Sequence, residues 1–175
     1  PNVGGVGIFL GAAAALLLGI GLGAPAFLGS AAQMPVIGAL AVGATLIFLL
    51  GLVDDIRGLG PWTKLLVQLI VAGGLVSAGV RIDSFGPVAD GGIAVPALIG
   101  VPLTIFWIVG ITNSFNLLDG SDGVAGGAAL FALLTVGGIS LLFGKDPVAA
   151  VAFVMAGATL GFLFFNFPPA TIFMG

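Results

Sequence analysis

Long apolar runs alternate with short polar links along most of this chain. Runs of about 20 apolar residues are typical of transmembrane helices. The pattern predicts six of them, at about residues 6–27, 36–53, 62–78, 97–112, 124–143 and 148–165. Residues 81–95 interrupt the pattern, because Gly, Pro and Asp separate two short apolar pieces there, and this predicts a small β-hairpin. The chain is therefore predicted to be an all-α integral membrane protein that forms a single transmembrane domain over residues 1–175.

Composition supports a membrane protein and argues against several other classes. The 175 residues are 59% hydrophobic and only 6% charged, whereas soluble domains carry about 25% charged residues. A net charge of −3 argues against nucleic-acid binding, which needs a basic surface. Because the chain has no cysteine, it has no disulfides or catalytic thiols. It begins at Pro1 and ends at Gly175, and we expect it to be a segment of a longer protein, truncated at both ends.

One polar stretch lies between two of the apolar runs. It carries Asn113, Asn116, Asp119 and Asp122, each three residues from the next, and a glycine follows each aspartate. Residues three apart are neighbours on an α-helix, but each such step covers about 300°, so the row drifts around the helix. We therefore expect the helix to end near residues 117–120, with no single ion held by all four side chains. The alternative is a polar loop with two Asp-Gly turns.

Two adjacent carboxylates, Asp54 and Asp55, follow the second predicted helix. Carboxylates and substrate phosphates together are the usual ligands of Mg²⁺, which keeps several of its waters. A metal or phosphate site is therefore one interpretation of the pair. The other is that the pair caps the third helix or lies in a solvated loop, since Asp favours helix N-termini.

The number of predicted crossings puts the polar clusters on one side of the membrane. Two predicted helices lie between residues 1–5 and the Asp54–Asp55 pair, two between that pair and residues 113–122, and two between those and Asn166. Lysine and arginine are divided equally between the two sides, so their distribution does not orient the chain. A polar site on one face, covered by apolar helices, would suit a polar donor from water and a lipid acceptor from the bilayer.

Four segments match one protein family in order. Residues 51–59, Gly-Leu-Val-Asp-Asp-Ile-Arg-Gly-Leu, resemble the aspartate-pair motif of the polyprenyl-phosphate N-acetylhexosamine-1-phosphate transferases, which form glycosyltransferase family 4. Residues 113–127 are similar to the family's Asn-x-x-Asn-x-x-Asp-Gly-x-Asp-Gly motif, and residues 166–175 to its Asn-x-x-Pro-Ala-x-x-Phe-Met-Gly motif. Residues 1–5 resemble its Thr-Pro-x-x-Gly-Gly motif. The resemblance extends over nearly the whole chain, and four motifs in order are far more specific than one.

The resemblance implies a multi-pass enzyme of the plasma membrane with its active site on the cytoplasmic face. Such an enzyme transfers a sugar 1-phosphate from a UDP-sugar to a polyprenyl (undecaprenyl-type) phosphate and releases UMP, as the first membrane step of cell-envelope polysaccharide synthesis. Residues 113–119 are more similar to the branch that transfers GlcNAc-1-phosphate. The implied cofactor is Mg²⁺, with Mn²⁺ as an alternative. The implied partners are the UDP-sugar, the polyprenyl phosphate and the lipid bilayer, with a homodimer as an option.

The resemblance also assigns roles to individual residues. It implies that Asp54 and Asp55 are catalytic and hold the metal, directly or through water. The implied substrate-binding residues are Asn113, Asn116, Asp119, Asp122, Asn166 and Phe173, the last two near the uridine. The family's main metal-binding Asp would come directly after Gly175, so we expect the segment alone to be inactive.

Two other functions are weighed against this one. The peptidoglycan branch of the same family is a phospho-MurNAc-pentapeptide transferase, with the same motifs and a different donor. A membrane transporter that uses interfacial carboxylates is the alternative of another class. Transporters place their polar sites near the middle of the membrane, whereas the predicted spans carry no charge at that depth.

Overall fold

The computed structural model describes residues 3–24, 27, 34–86 and 92–173. Within these residues the chain forms helices joined by short turns, together with one two-stranded antiparallel hairpin. The elements in chain order are α1 Gly4–Gly21, α2 Met34–Arg57, α3 Pro61–Ser77, β1 Ser84–Phe85, β2 Ile93–Ala94, α4 Ala97–Leu118, α5 Val124–Leu142 and α6 Asp146–Asn166. The predicted all-α class and the predicted hairpin are confirmed. Pro1, Asn2, Met174 and Gly175 of the predicted motifs lie outside the described residues, as do residues 28–33 and 87–91.

The length and composition of the helices fit a membrane protein. Among the described residues, α1, α2, α4, α5 and α6 are each long and apolar enough to cross a membrane. Helix α3 is also apolar but has 17 residues, which gives a length of about 25 Å against a hydrocarbon core of about 30 Å. It reaches across only if the bilayer thins locally or if its ends are tucked in.

Two helices extend further than the apolar pattern predicts. Helix α2 does not end before Asp54 but continues to Arg57, where Gly58, with a φ of +64°, terminates it. Helix α4 continues past Thr112 to Leu118 and stops before Asp119-Gly120, as the drift of the polar row predicts. Both extensions have the same physical reason. Polar residues at the end of an apolar run do not by themselves break a helix, and the glycines that follow α2 and α4, Gly58 and Gly120, lie further along the chain.

The chain divides into two compact units. The first combines Pro1–Ala32 with Phe115–Gly175, so it contains α1, α5 and α6, and the second is Gln33–Ser114. The prediction of a single transmembrane domain stays a prediction.

Helix α6 is the centre of the first unit, because it packs against both α1 and α5. Its buried face is lined by Ala149, Ala152 and Ala156, and small residues of this kind let membrane helices approach closely. Glycines complete the contact from α5: a Cβ atom at Gly126 would lie 2.8 Å from Leu163 Cδ2, and one at Gly137 would lie 2.8 Å from Phe153 Cε1.

The second unit is built on the packing of α2 against α3. Val71 and Leu75 of α3 are buried against α2 at Gly43, where a Cβ atom would lie 3.2 Å from Val71 Cγ1. The chain then passes through the hairpin to α4, and buried Thr104 of α4 accepts a hydrogen bond from the Ile82 amide at 2.9 Å. These contacts fix the helices that carry the Asp54–Asp55 pair and Asn113.

Candidate active site

Asp54 lies in the last turn of α2, where two donors hold its carboxylate. Lys64 Nζ of α3 is 2.8 Å from Asp54 Oδ2, and the Leu59 amide donates to Oδ1 at 2.8 Å. The ion pair joins α2 to α3, and the amide contact closes the turn between the two helices. The Asp54 side chain is 20% exposed and the Lys64 side chain 29% exposed, so both are partly shielded from bulk solvent. Asp54 therefore fastens the turn rather than capping α3, whose N-cap residue is Gly60.

Asp55, the other half of the pair, has a different environment. It is exposed, and among the described residues it makes no side-chain hydrogen bond or ion pair. The two carboxylates are thus unequal. One is anchored by a lysine, and the other is available for a ligand.

Asn113 of α4 pairs with Gln68 of α3. Asn113 Nδ2 donates to Gln68 Oε1 at 2.6 Å, and Gln68 Nε2 lies 3.5 Å from Asn113 Oδ1. Asn113 Nδ2 also donates to the Val109 carbonyl of its own helix at 2.8 Å. Gln68 is only 6% exposed, whereas Asn113 is exposed. The amide pair therefore ties α4 to α3 at the position where the polar stretch begins.

In the other unit, Asn166 joins two turns through its amide. Its Oδ1 accepts from the Gly123 amide at 2.9 Å, and its Nδ2 donates to the Ile172 carbonyl at 2.9 Å. Asn166 is 3% exposed. Gly123 has a φ of +75°, a conformation that favours glycine, and it immediately precedes α5. The buried amide thus holds the turn at the end of the Asn113–Asp122 stretch against the segment that follows α6.

A second side chain, that of Asp122, also joins the turn before α5 to the segment after α6. Asp122 Oδ2 accepts from the Ala170 amide at 3.1 Å. The same segment includes Phe173, whose carbonyl accepts from the Gly4 amide at 2.9 Å, while its side chain is 40% exposed. Asp122, Asn166 and Phe173, which the sequence marked as site residues, therefore belong to one connected set.

The other two predicted residues lie at the end of α4. Asn116 is exposed in the last turns of the helix, and Asp119 is half-buried in the turn directly after Leu118. Within the described ranges, no group of three or more acidic, His or Cys side chains could hold a metal ion by itself. The predicted meeting of all four motifs at one site, and with it the set of binding residues, stays a prediction.

Lys64 and Gln68 are the polar residues that sequence reasoning missed. The sequence does contain a signal for them, because they are the charged and the amide side chain of this helix and lie four residues apart, so they share one of its faces. The carboxylates and asparagines drew attention as motif members, whereas these two residues act as their partners.

The sequence also matches known proteins. The family model described as glycosyl transferase family 4 matches residues 37–175. A probable undecaprenyl-phosphate N-acetylglucosaminyl 1-phosphate transferase of Bacillus subtilis is 39% identical, with 100% of this chain and 46% of that protein aligned. A decaprenyl-phosphate N-acetylglucosaminephosphotransferase of Mycolicibacterium smegmatis is 35% identical, with 100% of this chain and 45% of that protein aligned.

A relative with a different name aligns over less of the chain. The phospho-N-acetylmuramoyl-pentapeptide-transferase of Streptococcus thermophilus is 33% identical over 73% of this chain and 40% of its own length. The chain thus spans less than half the length of each of these three relatives.

Proposed function

The chain belongs to glycosyl transferase family 4, and from that premise we propose that the full-length protein transfers GlcNAc-1-phosphate from UDP-GlcNAc to a polyprenyl phosphate and releases UMP. The observation that carries the proposal is the alignment of the whole chain with two relatives named for N-acetylglucosaminyl phosphate transfer. The proposed reaction takes place on the cytoplasmic face of the plasma membrane, in a protein whose described helices make it multi-pass.

The second candidate is the transfer of phospho-MurNAc-pentapeptide. The Streptococcus thermophilus relative carries that name and aligns with 73% of the chain. The two candidates share the lipid acceptor and differ in the sugar nucleotide, so the choice of donor decides between them.

In the proposed reaction, an oxygen of the lipid phosphate attacks the phosphorus atom that bears the sugar. The bond from that phosphorus to the UMP oxygen breaks, and UMP leaves with the electron pair. Transfer of this kind depends on positioning and on neutralising charge more than on covalent help. The lipid phosphate and the Asp55 carboxylate are both anionic, so they can approach only with a cation or a proton between them.

Mg²⁺ is part of the proposal, and the donor set fits it. The ion usually takes only one or two carboxylates, and waters and substrate phosphates complete its shell. Asp55 is exposed and available as one such ligand, and Asp54 beside it is steadied by Lys64. When bound, Mg²⁺ would neutralise the negative charge that develops on the pyrophosphate and the leaving UMP.

The remaining residues would shape the nucleotide site. Asn113, Asn116 and Asp119 would bind the nucleotide-sugar. Asn166 and Asp122 hold the backbone of residues 167–173, which would position Phe173 beside the uridine. A homodimer and the use of Mn²⁺ in place of Mg²⁺ are further parts of the proposal.

The test is an assay of the purified full-length protein with Mg²⁺, polyprenyl phosphate and radiolabelled UDP-GlcNAc. Labelled lipid is expected, and the 175-residue segment alone is expected to form none. No product from UDP-GlcNAc, together with product from UDP-MurNAc-pentapeptide, would favour the second candidate. Absence of product from either donor would reject both.

Substitution of the carboxylate pair tests the proposed catalytic role. Asp54→Asn and Asp55→Asn remove a charge but keep the side-chain shape, and each should lower turnover by about 10²–10³-fold. Asp54→Asn should also lower the melting temperature slightly, because Lys64 loses its partner. Asp83→Asn is the matched control, since it breaks the Arg81–Asp83 ion pair outside the proposed site. Unchanged turnover in both pair variants would rule out a catalytic role for the pair.

A further inference from the structure

The two N–H donors of the Asn113 side chain are both in use. A side-chain amide has one NH₂ group with two hydrogens and one carbonyl oxygen with two lone pairs. One hydrogen points to Gln68 Oε1 at 2.6 Å and the other to the Val109 carbonyl at 2.8 Å. Asn113 therefore has no hydrogen left to donate to a ligand.

The carbonyl oxygen of Asn113 retains acceptor capacity. Its contact with Gln68 Nε2, at 3.5 Å, is at the limit of a hydrogen bond and uses at most one lone pair. Because Asn113 is exposed, the other lone pair is available to a bound molecule. Asn113 can thus receive a hydrogen bond but not give one.

The Val109 carbonyl and Gln68 together determine this orientation. If the Asn113 amide flipped, its oxygen would face Gln68 Oε1 and the Val109 carbonyl, and three acceptors would meet without a hydrogen between them. Gln68 could flip as well, but the helix carbonyl of Val109 cannot. The burial of Gln68, which is 6% exposed, makes an unpaired amide there costly, because it has little water to replace the lost bond.

We propose that Gln68 is a positioning residue that takes up the second N–H of Asn113 and, together with the Val109 carbonyl, holds Asn113 as a hydrogen-bond acceptor. The group of the nucleotide-sugar that faces Asn113 is then a donor, a hydroxyl or an N–H, and not a phosphate oxygen. The inference rests on the proposed function, since it takes Asn113 as a residue that binds the nucleotide-sugar. It goes further because it assigns a role to Gln68 and states that Asn113 accepts, and the ligand donates, the hydrogen bond between them.

A double-mutant cycle in the full-length protein tests whether Gln68 acts through Asn113. Gln68→Met keeps the length of the side chain and removes its polar atoms, so it should lower kcat/KM for UDP-GlcNAc by about tenfold, mainly through a higher KM. Asn113→Ala should lower it by at least as much. The double variant should be no worse than Asn113→Ala alone, because Gln68 then has nothing left to position. Gln68→Glu, which keeps an acceptor for the Asn113 amide group, should stay within a few-fold of the wild type.

Thr104→Val is the matched control for a purely structural effect. Thr104 is a buried polar residue of α4 whose hydroxyl accepts from the Ile82 amide and donates to the Gly100 carbonyl. It lies nine residues before Asn113, which is about 13 Å along the helix. Its substitution should lower the melting temperature and leave KM unchanged.

The direction of the contact is tested with analogues of UDP-GlcNAc that each lack one hydroxyl or one N–H. If Asn113 accepts a hydrogen bond, one analogue should bind the wild type more weakly than UDP-GlcNAc does, and this difference should disappear in Asn113→Ala. If Asn113 donates to a phosphate, no analogue should show a loss of binding that depends on Asn113. That result would overturn the inference, as would multiplicative effects of Gln68→Met and Asn113→Ala in an active protein. An inactive wild-type protein would instead reject the proposed function, and the substrate role of Asn113 with it.

Discussion

Asn166 is buried at the C-terminal end of α6, where its amide joins the backbone of two turns. Asn166→Ala would leave the Gly123 amide and the Ile172 carbonyl without their side-chain partner. A lost buried hydrogen bond costs about 1–3 kcal/mol, so the variant should melt at a lower temperature than the wild-type full-length protein. Asn116→Ala, at an exposed asparagine, should leave the melting temperature unchanged. Equal melting temperatures for the two variants would contradict a structural role for Asn166.

At the residue scale, the sequence singled out several polar side chains but did not predict what they contact. Asp54, Asn113 and Asn166 stood out because polar groups are rare in this chain. Their partners are a lysine, a glutamine and backbone groups. Such contacts depend on how far each helix is rotated about its axis, and residue spacing within one motif carries no information about that rotation.

At the scale of elements, the contact between α5 and α6 depends on glycines facing α6. Gly126 and Gly127 are neighbours on α5 with opposite surroundings: a Cβ atom at Gly126 would lie 2.8 Å from Leu163 Cδ2, whereas one at Gly127 would have nothing within 4 Å. Leu163 is only 6% exposed, so its side chain has little room to move aside, and Gly126→Ala should destabilise the protein by about 1–3 kcal/mol through overpacking. Gly127→Ala should be neutral or stabilising by up to about 1 kcal/mol, since Ala favours the helix.

Thermal unfolding in detergent compares the two alanine variants. The same reasoning applies at Gly137, which faces Phe153, and at Gly138, which faces open space. If Gly126→Ala and Gly127→Ala shifted the melting temperature equally, the close approach of α5 to α6 at Gly126 would be wrong.

The apolar pattern predicted the existence and order of the helices, and it underestimated the length of α2 and α4. A hydropathy criterion ends a helix at the first polar residue, whereas α2 ends only at Gly58 and α4 only at the Asp119-Gly120 turn. The apolar pattern consequently placed Asp54 and Asn113 at helix ends or beyond them, and both lie within helices. The drift of the polar row did predict the end of α4 near residues 117–120. Which glycine of a pair faces a neighbour could not be predicted, since both belong to equally apolar helix sequences.

At the scale of the whole molecule, the predicted topology can be tested by chemical labelling. The segment contains no cysteine, so single cysteines are specific probes once any others in the full-length protein are replaced. Gly60→Cys and Ser121→Cys should react with a membrane-impermeant maleimide from the cytoplasmic side. Ser84→Cys, in the hairpin, should react from the opposite side. Labelling of positions 60 and 121 from opposite sides would reject the shared face on which the proposed site depends.

The packing of α1 on α6 has a consequence for how the protein is made. Ribosomes complete α1 early, yet 124 residues lie between its end at Gly21 and the start of α6 at Asp146. At about 5–20 residues per second, α1 waits roughly 10 s in the bilayer before its partner emerges. A photo-crosslinker at position 11, where a Cβ atom would lie 3.9 Å from Ala158 Cβ, should label lipid or insertion machinery in nascent chains stalled before α6. In longer chains it should label α6 instead, so α1 must be stable in the membrane on its own until its partner is synthesised.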